Sequence, residues 1–187
     1  MEKIAFFDLA PGRAGWCVGV GDSTPTTGVI EFDDHGDDLG GLGLQFLEHL
    51  NLLHARFGFT VAGNEKPLLL VNVRGKNGNR RTDTLDDLRR IYGLGFTLAT
   101  WCAQRQIPFW EETVQAVKKE STRNHTAEKK EVADQIEKIG IDIGRGPGRL
   151  DRADAASGWL IGVRTWNPHL SAAWDRKLFS AVGALRS

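Results

Sequence analysis

Two aspartates near the end of the chain stand one helical turn apart in Asp151-Arg152-Ala153-Asp154. An apolar run over 155–163 follows them and predicts a buried helix, so the spacing sets both carboxylates on one face of its first turn. Two readings are open. A first helical turn favours Asp, because amides without partners and the helix dipole stabilise negative charge there. That accounts for Asp151 better than for Asp154, which has Ala153, Ala155 and Ala156 around it. The second reading aims both carboxylates at a shared divalent cation, which needs further oxygen ligands from elsewhere in the chain. Asp8 is one source, since it ends the short apolar run 3–7. A carboxylate at the tip of a buried strand faces whatever lies above the sheet; alternatively, Asp8 starts the following turn by accepting hydrogen bonds from its amides.

Bringing these acids together takes a sheet and a crossover. Residues 9–15, rich in Pro and Gly, read as a turn into a second strand at 16–20, and 27–32 as a third, which makes an antiparallel meander. Glu31, Asp33, Asp34, Asp37 and Asp38 form an acidic turn. Leu42, Phe46, Leu50, Leu53 and Phe57 then recur at helical spacing and predict an amphipathic helix over 39–57. Residues 64–67 read as a turn, and the unbroken apolar run 68–73 as a fully buried fourth strand. A right-handed crossover sets that strand beside the first, with Asn72 close to Asp8.

Thr82 or Thr84 caps a second helix that reaches Gln104, and 107–110 form a fifth strand. Thr113 and a helical turn at 114–119 direct Glu111 and Glu112 outward. After a polar loop at 121–125, Thr126 caps a helix to about residue 139, a Gly-rich basic stretch covers 140–149, and 171–185 make a last helix. The fold class is α/β, a five-stranded mixed sheet flanked by helices.

A chain of 187 residues suits a single domain, 1–187, with one proper core. Its 24 Lys and Arg balance 24 Asp and Glu, so net charge points to no partner. Local charge does more. Arg74, Lys76, Arg80 and Arg81 form one basic cluster, and Lys118, Lys119, Arg123, Lys129 and Lys130 a second, each of which taken alone is an ordinary solvated surface. Cys17 and Cys102 lie inside apolar runs, as reduced core thiols of an intracellular protein do. With no signal peptide and no apolar run long enough to span a bilayer, a cytoplasmic location without membrane contact is expected.

Set in order, these residues resemble the RuvC family of Holliday junction resolvases, within the ribonuclease H-like superfamily. The resemblance rests on Asp8 before a Pro-Gly turn and Gly15, on Asp151-x-x-Asp154-Ala155, and on Val117-Lys118 followed by Ala127-Glu128-Lys129. It implies a ribonuclease H-like fold and a structure-selective endodeoxyribonuclease that hydrolyses phosphodiesters of four-way DNA junctions. Two Mg²⁺ or Mn²⁺ ions per site would be held by Asp8, Asn72, Asp151 and Asp154, with Lys118 and Lys129 as catalytic cations that neutralise charge on the scissile phosphate. DNA contacts would come from Arg74, Lys76, Asn77, Arg80, Arg81, Lys118, Lys119, Arg123, Lys129 and Lys130.

The two-fold symmetry of a junction implies a homodimer, joined through the helix that ends at Gln104. Asn72 departs from the family, which carries Glu there. An amide brings no charge, so weaker cation binding is expected, as in an inactivated variant or a divergent phage-type member of the host cytoplasm. Two alternatives follow: a non-catalytic binder of branched DNA with the same fold, or another ribonuclease H-like nuclease.

Overall fold

The computed structural model describes residues 1–34, 36–67 and 85–183, with side chains as far as residue 180. The opening apolar run forms β1 (Ile4–Ala10), which continues through Asp8 instead of ending on it. Only Pro11 and Gly12 make the turn, because β2 (Arg13–Gly19) starts at once and pairs antiparallel with β1 from Ala10 and Arg13 onward. The broader turn expected at 9–15 is thus mostly strand. Leu9 and Ala14 keep the inward alternation going by packing beneath a helix. β3 (Thr26–Glu31) completes the meander on the outer edge of β2.

Helix α1 (Leu39–Phe57) has the bounds its apolar spacing predicts. Asp38 caps it by accepting from the Gly41 amide at 2.9 Å, and Gly58 stops it in the left-handed region at φ 60°. Three residues later β4 (Val61–Glu65) runs parallel to β1, with Ile4 opposite Val61 and Phe7 opposite Asn64. The strand beside β1 is therefore 61–65, not 68–73, and Asn64 and Glu65 are strand rather than turn. Asn72, together with Arg74, Lys76, Asn77, Arg80, Arg81, Thr82 and Thr84, lies outside the described residues.

Next come α2 (Leu85–Gln104) and β5 (Phe109–Glu112), which extends the sheet parallel to β4. Strand order is β3-β2-β1-β4-β5, the five-stranded mixed sheet expected. Four helices follow: α3 (Val114–Thr122), α4 (Lys129–Lys138), α5 (Arg149–Trp166) and α6 (Pro168–Gly183). Thr126 does not cap α4. Glu128 does, its own amide donating to the Glu131 carboxylate at 3.2 Å, and that leaves Lys129 as the first helical residue.

The sheet is covered on both sides. One face buries Ala5, Phe7 and Leu9 of β1 against α1 and α2. The other buries Ile4 and Phe6 against α5, with α3, α4 and α6 packed outside it. Helix α5 lies close to the strands because its contact residues are small: a Cβ on Gly158 would sit 2.1 Å from the Phe6 ring. Trp159 and Trp174 lock the far end by donating their indole N–H to the carbonyls of Gly19 and Gly21 at 3.1 and 2.7 Å. Among the described residues, no helix is long and apolar enough to cross a membrane.

Candidate active site

Asp8 sits on β1 opposite Gly15 of β2, and residues paired in this way share a face, the one under α5. A Cβ on Gly15 would stand 2.3 Å from the Asp151 carbonyl oxygen. Glycine at this position is what allows the first turn of α5 to rest on β2. That contact brings Asp151, and Asp154 one turn later, to Asp8. All three are buried, with 5%, 6% and 3% exposure for Asp8, Asp151 and Asp154.

Lys129 occupies the space between them. Its Nζ lies 2.9 Å from Asp154 Oδ2, 3.4 Å from Asp8 Oδ2 and 3.6 Å from Asp151 Oδ1. Arg13, the first residue of β2, closes the rim with its Nε 2.6 Å from Asp151 Oδ2. That contact is an ion pair and not an aligned hydrogen bond. Asp151 Oδ2 and Asp154 Oδ1 are thus buried oxygens that accept no hydrogen bond among the described residues.

Glu65, the last residue of β4, is the acid that sequence reasoning missed. Its carboxyl is pushed up to about 8, first by burial and then by the negative charges of Asp8 and Asp154, while Lys129 and Lys118 pull the other way. Asp8 is pushed up to about 7 by burial, with Lys129 opposing and Asp154 and Asp151 reinforcing. Asp154 is raised as well, chiefly by burial. Burial also works against the Lys129 charge, but Asp8 and Asp154 outweigh it and hold the ammonium protonated. The four acids and Lys129 therefore share one electrostatic field.

Buried carboxylates that raise one another are poor neighbours for each other and good ones for a hard cation. The donor set is all oxygen, which suits Mg²⁺ or Mn²⁺, and two of its buried oxygens have no hydrogen bond to give up. Among the described residues no three acidic, His or Cys side chains are gathered as a formed ligand set; the cation they meet is the Lys129 ammonium.

The remaining sequence candidates are spread along α3 and α4. Lys118 is half-buried in α3 and acts on both Glu65 and Asp154. Lys119 and Lys130 are exposed. Arg123 is engaged by α6, 3.7 Å from Asp175 and 4.9 Å above the Phe179 ring. Glu111 and Glu112 lie within β5, not after it; Glu111 is exposed, and Glu112 stands beside Glu65 in the parallel register with its carboxyl raised by burial.

No protein-family model matches the sequence, and no curated protein matches it in sequence. Solved structures do match in fold. RuvC of Thermus thermophilus in complex with a Holliday junction substrate superposes with a TM-score of 0.57 at 17% identity, covering 84% of this chain and 91% of that one. The chain has the RuvC fold. A second Thermus thermophilus RuvC structure gives 0.56 at 18% identity over 86% and 96% of the two chains. The yeast mitochondrial Holliday junction resolvase Ydc2 gives 0.51 at 14%, over 99% and 85%. In this RuvC fold, a ribonuclease H-like arrangement, β1 and β4 are the central parallel pair, and α5 crosses the face on which Asp8 lies.

Proposed function

We propose that this chain is a structure-selective endodeoxyribonuclease that cuts four-way DNA junctions by hydrolysis of phosphodiesters. The observation that carries the proposal is the convergence of Asp8, Asp151 and Asp154 on a single cation, with Glu65 in the same field, on a fold shared with junction resolvases. Glu65 takes the ligand role that the expected strand at 68–73 had given to Asn72. With a carboxylate at the end of the strand next to β1, the weakness attributed to Asn72, and with it the reason to favour a non-catalytic binder, falls away.

Asp8, Glu65, Asp151 and Asp154 would hold two divalent cations, Mg²⁺ or Mn²⁺, which when bound supply an activated water and neutralise charge on the reacting phosphate. Asp8, flanked by the other three acids, is the natural shared ligand. Lys129 holds the carboxylates together through its ammonium, and beside a phosphate the same group offsets the charge that gathers in the transition state. Lys118 adds a second positive charge from α3, next to Glu65 and Asp154. Lys119, Lys130 and the basic residues of 74–81 would contact flanking phosphates, so affinity falls as salt rises.

Two cuts across a two-fold junction call for a homodimer. Helix α2 offers a face for it, with Leu85, Tyr92 and Phe96 on one stripe at 73%, 41% and 75% exposure. Sedimentation of the purified protein should give a dimer. The central test incubates a synthetic four-way junction, a linear duplex and an RNA–DNA hybrid with Mg²⁺ or Mn²⁺. Paired symmetric nicks in the junction alone are expected; cutting of the hybrid instead would assign the site to a different ribonuclease H-like nuclease.

A further inference from the structure

We infer that Arg13 is a substrate-binding residue which grips a backbone phosphate beside the scissile one, a role that rests on the nuclease reading above. Arg13 opens β2 directly after the Pro11-Gly12 turn, and its register partners are Ala10 on β1 and Glu31 on β3. Counting along both strands from the Asp8 and Gly15 pair puts Arg13 on the face of the sheet that holds the acids.

Its side chain is divided in use. The inner edge of the guanidinium rests against Asp151 Oδ2 at 2.6 Å, and Asp151 is nearly all buried. The side chain as a whole is 43% exposed, and among the described residues its terminal nitrogens donate no hydrogen bond. A half-exposed guanidinium drawn to Asp151 through Nε keeps its two terminal N–H groups for a ligand, and their parallel geometry fits two oxygens of one phosphate.

The position explains why an arginine is useful here. Lys129 and Lys118 act on the acids from α4 and α3, Lys129 closest to Asp154 at 2.9 Å. Arg13 reaches them from the sheet, through Asp151. A phosphodiester backbone laid over the four acids meets like charge at the centre, and it needs cations on both flanks to stay in register. Arg13 supplies the second flank.

The test compares wild type with Arg13→Gln and Arg13→Lys. Junction binding is titrated without divalent ions over a series of salt concentrations, cleavage is followed with Mn²⁺, and Mn²⁺ binding is read separately from the shift in melting temperature. Arg13→Gln should weaken junction binding about tenfold and flatten the dependence of log K on log salt by about one phosphate contact, as loss of a charged hydrogen-bonded contact does. The loss should appear in KM more than in kcat, and removing a charge 2.6 Å from Asp151 should also enlarge the Mn²⁺ shift. Arg13→Lys keeps the charge and should fall between the two, and it decides the matter if the Gln variant does not fold. Unchanged binding and salt slope, whatever the Mn²⁺ shift, would make Arg13 a positioning residue for Asp151 and overturn the inference, leaving the nuclease reading intact. A wild-type protein that neither binds nor cuts a junction would overturn both.

Discussion

The two faces of the sheet are both packed with apolar side chains, but only one of them also carries a group of acids. On the α1 and α2 side, Phe7 meets Phe46 and Phe59 edge-on at 6.1 and 6.4 Å, and Leu50, Leu98 and Trp101 close the layer. The buried polar group of β4 on that side is Asn64. On the α5 side Ile4, Phe6, Trp159 and Leu160 make a second apolar layer, but beside it small residues of the helix, Ala153, Ala156, Ser157 and Gly158, let Asp8 and Glu65 of the strands stand near Asp151 and Asp154. Apolar burial stabilises by roughly 25 cal/mol per Å², whereas a buried charge destabilises unless it is matched. Apolar burial on both faces thus holds the fold, and that margin lets one end of the α5 face keep four acids near one another. Lys129 is the internal cation that makes this tolerable in the absence of metal.

Substitutions that exchange the two roles test the contrast. Phe46→Ala, on the apolar face, should cost about 3–5 kcal/mol in chemical denaturation, and the folded fraction should still respond to Mn²⁺. A lost Mn²⁺ response in folded protein would mean that the faces are not independent. Glu65→Gln should do the reverse. Junction cleavage should drop about 10²–10³-fold, while the metal-free protein melts higher because one half-buried acid beside other acids is gone. Cleavage at the wild-type rate would remove Glu65 from the site.

Gly15→Ala is the mildest steric test. The new Cβ must displace the Asp151 backbone, and a shift of about 1 Å in the acids should slow cleavage roughly 100-fold with far-UV circular dichroism unchanged.

A smaller effect is expected from pH. Asp8 and Glu65 have carboxyls raised to about 7 and about 8 in the fold, from ordinary values of 3.8 and 4.5. The folded state therefore binds more protons than the unfolded one across that interval. Stability from these groups is complete below about pH 4 and is lost as pH rises to about 8. Metal-free melting temperatures should decline over that range, less steeply in Glu65→Gln; a rise would contradict the proton balance at the site.

How much of this was readable beforehand depended on which signal a residue carried. Helix α1 came out with its observed bounds because apolar spacing, an Asp cap and a Gly stop all agree. Asp8, Asp151 and Asp154 were visible because acids set beside apolar runs stand out. Strand β4 was not, since Val61-Ala62-Gly63-Asn64-Glu65 looks weak next to the apolar run 68–73. Its small residues answer to neighbours distant in sequence: a Cβ on Gly63 would lie 2.5 Å from the Trp110 ring, and Asn64 is fully buried on the face covered by α2. Packing outranked propensity there. The short step from Gly58 to the next strand was the available hint, since connections of this kind usually take only a few residues.

Taken by itself, the sequence determined the α/β class, the meander, and three of the acids, because those follow from periodicity and residue type within short windows. Tertiary structure alone decided that Glu65 is the fourth acid, that Lys129 stands among the carboxylates, and that Arg13 touches Asp151. Each of these depends on distances between elements far apart along the chain, and such distances are set by which side chains are small enough to let backbones approach.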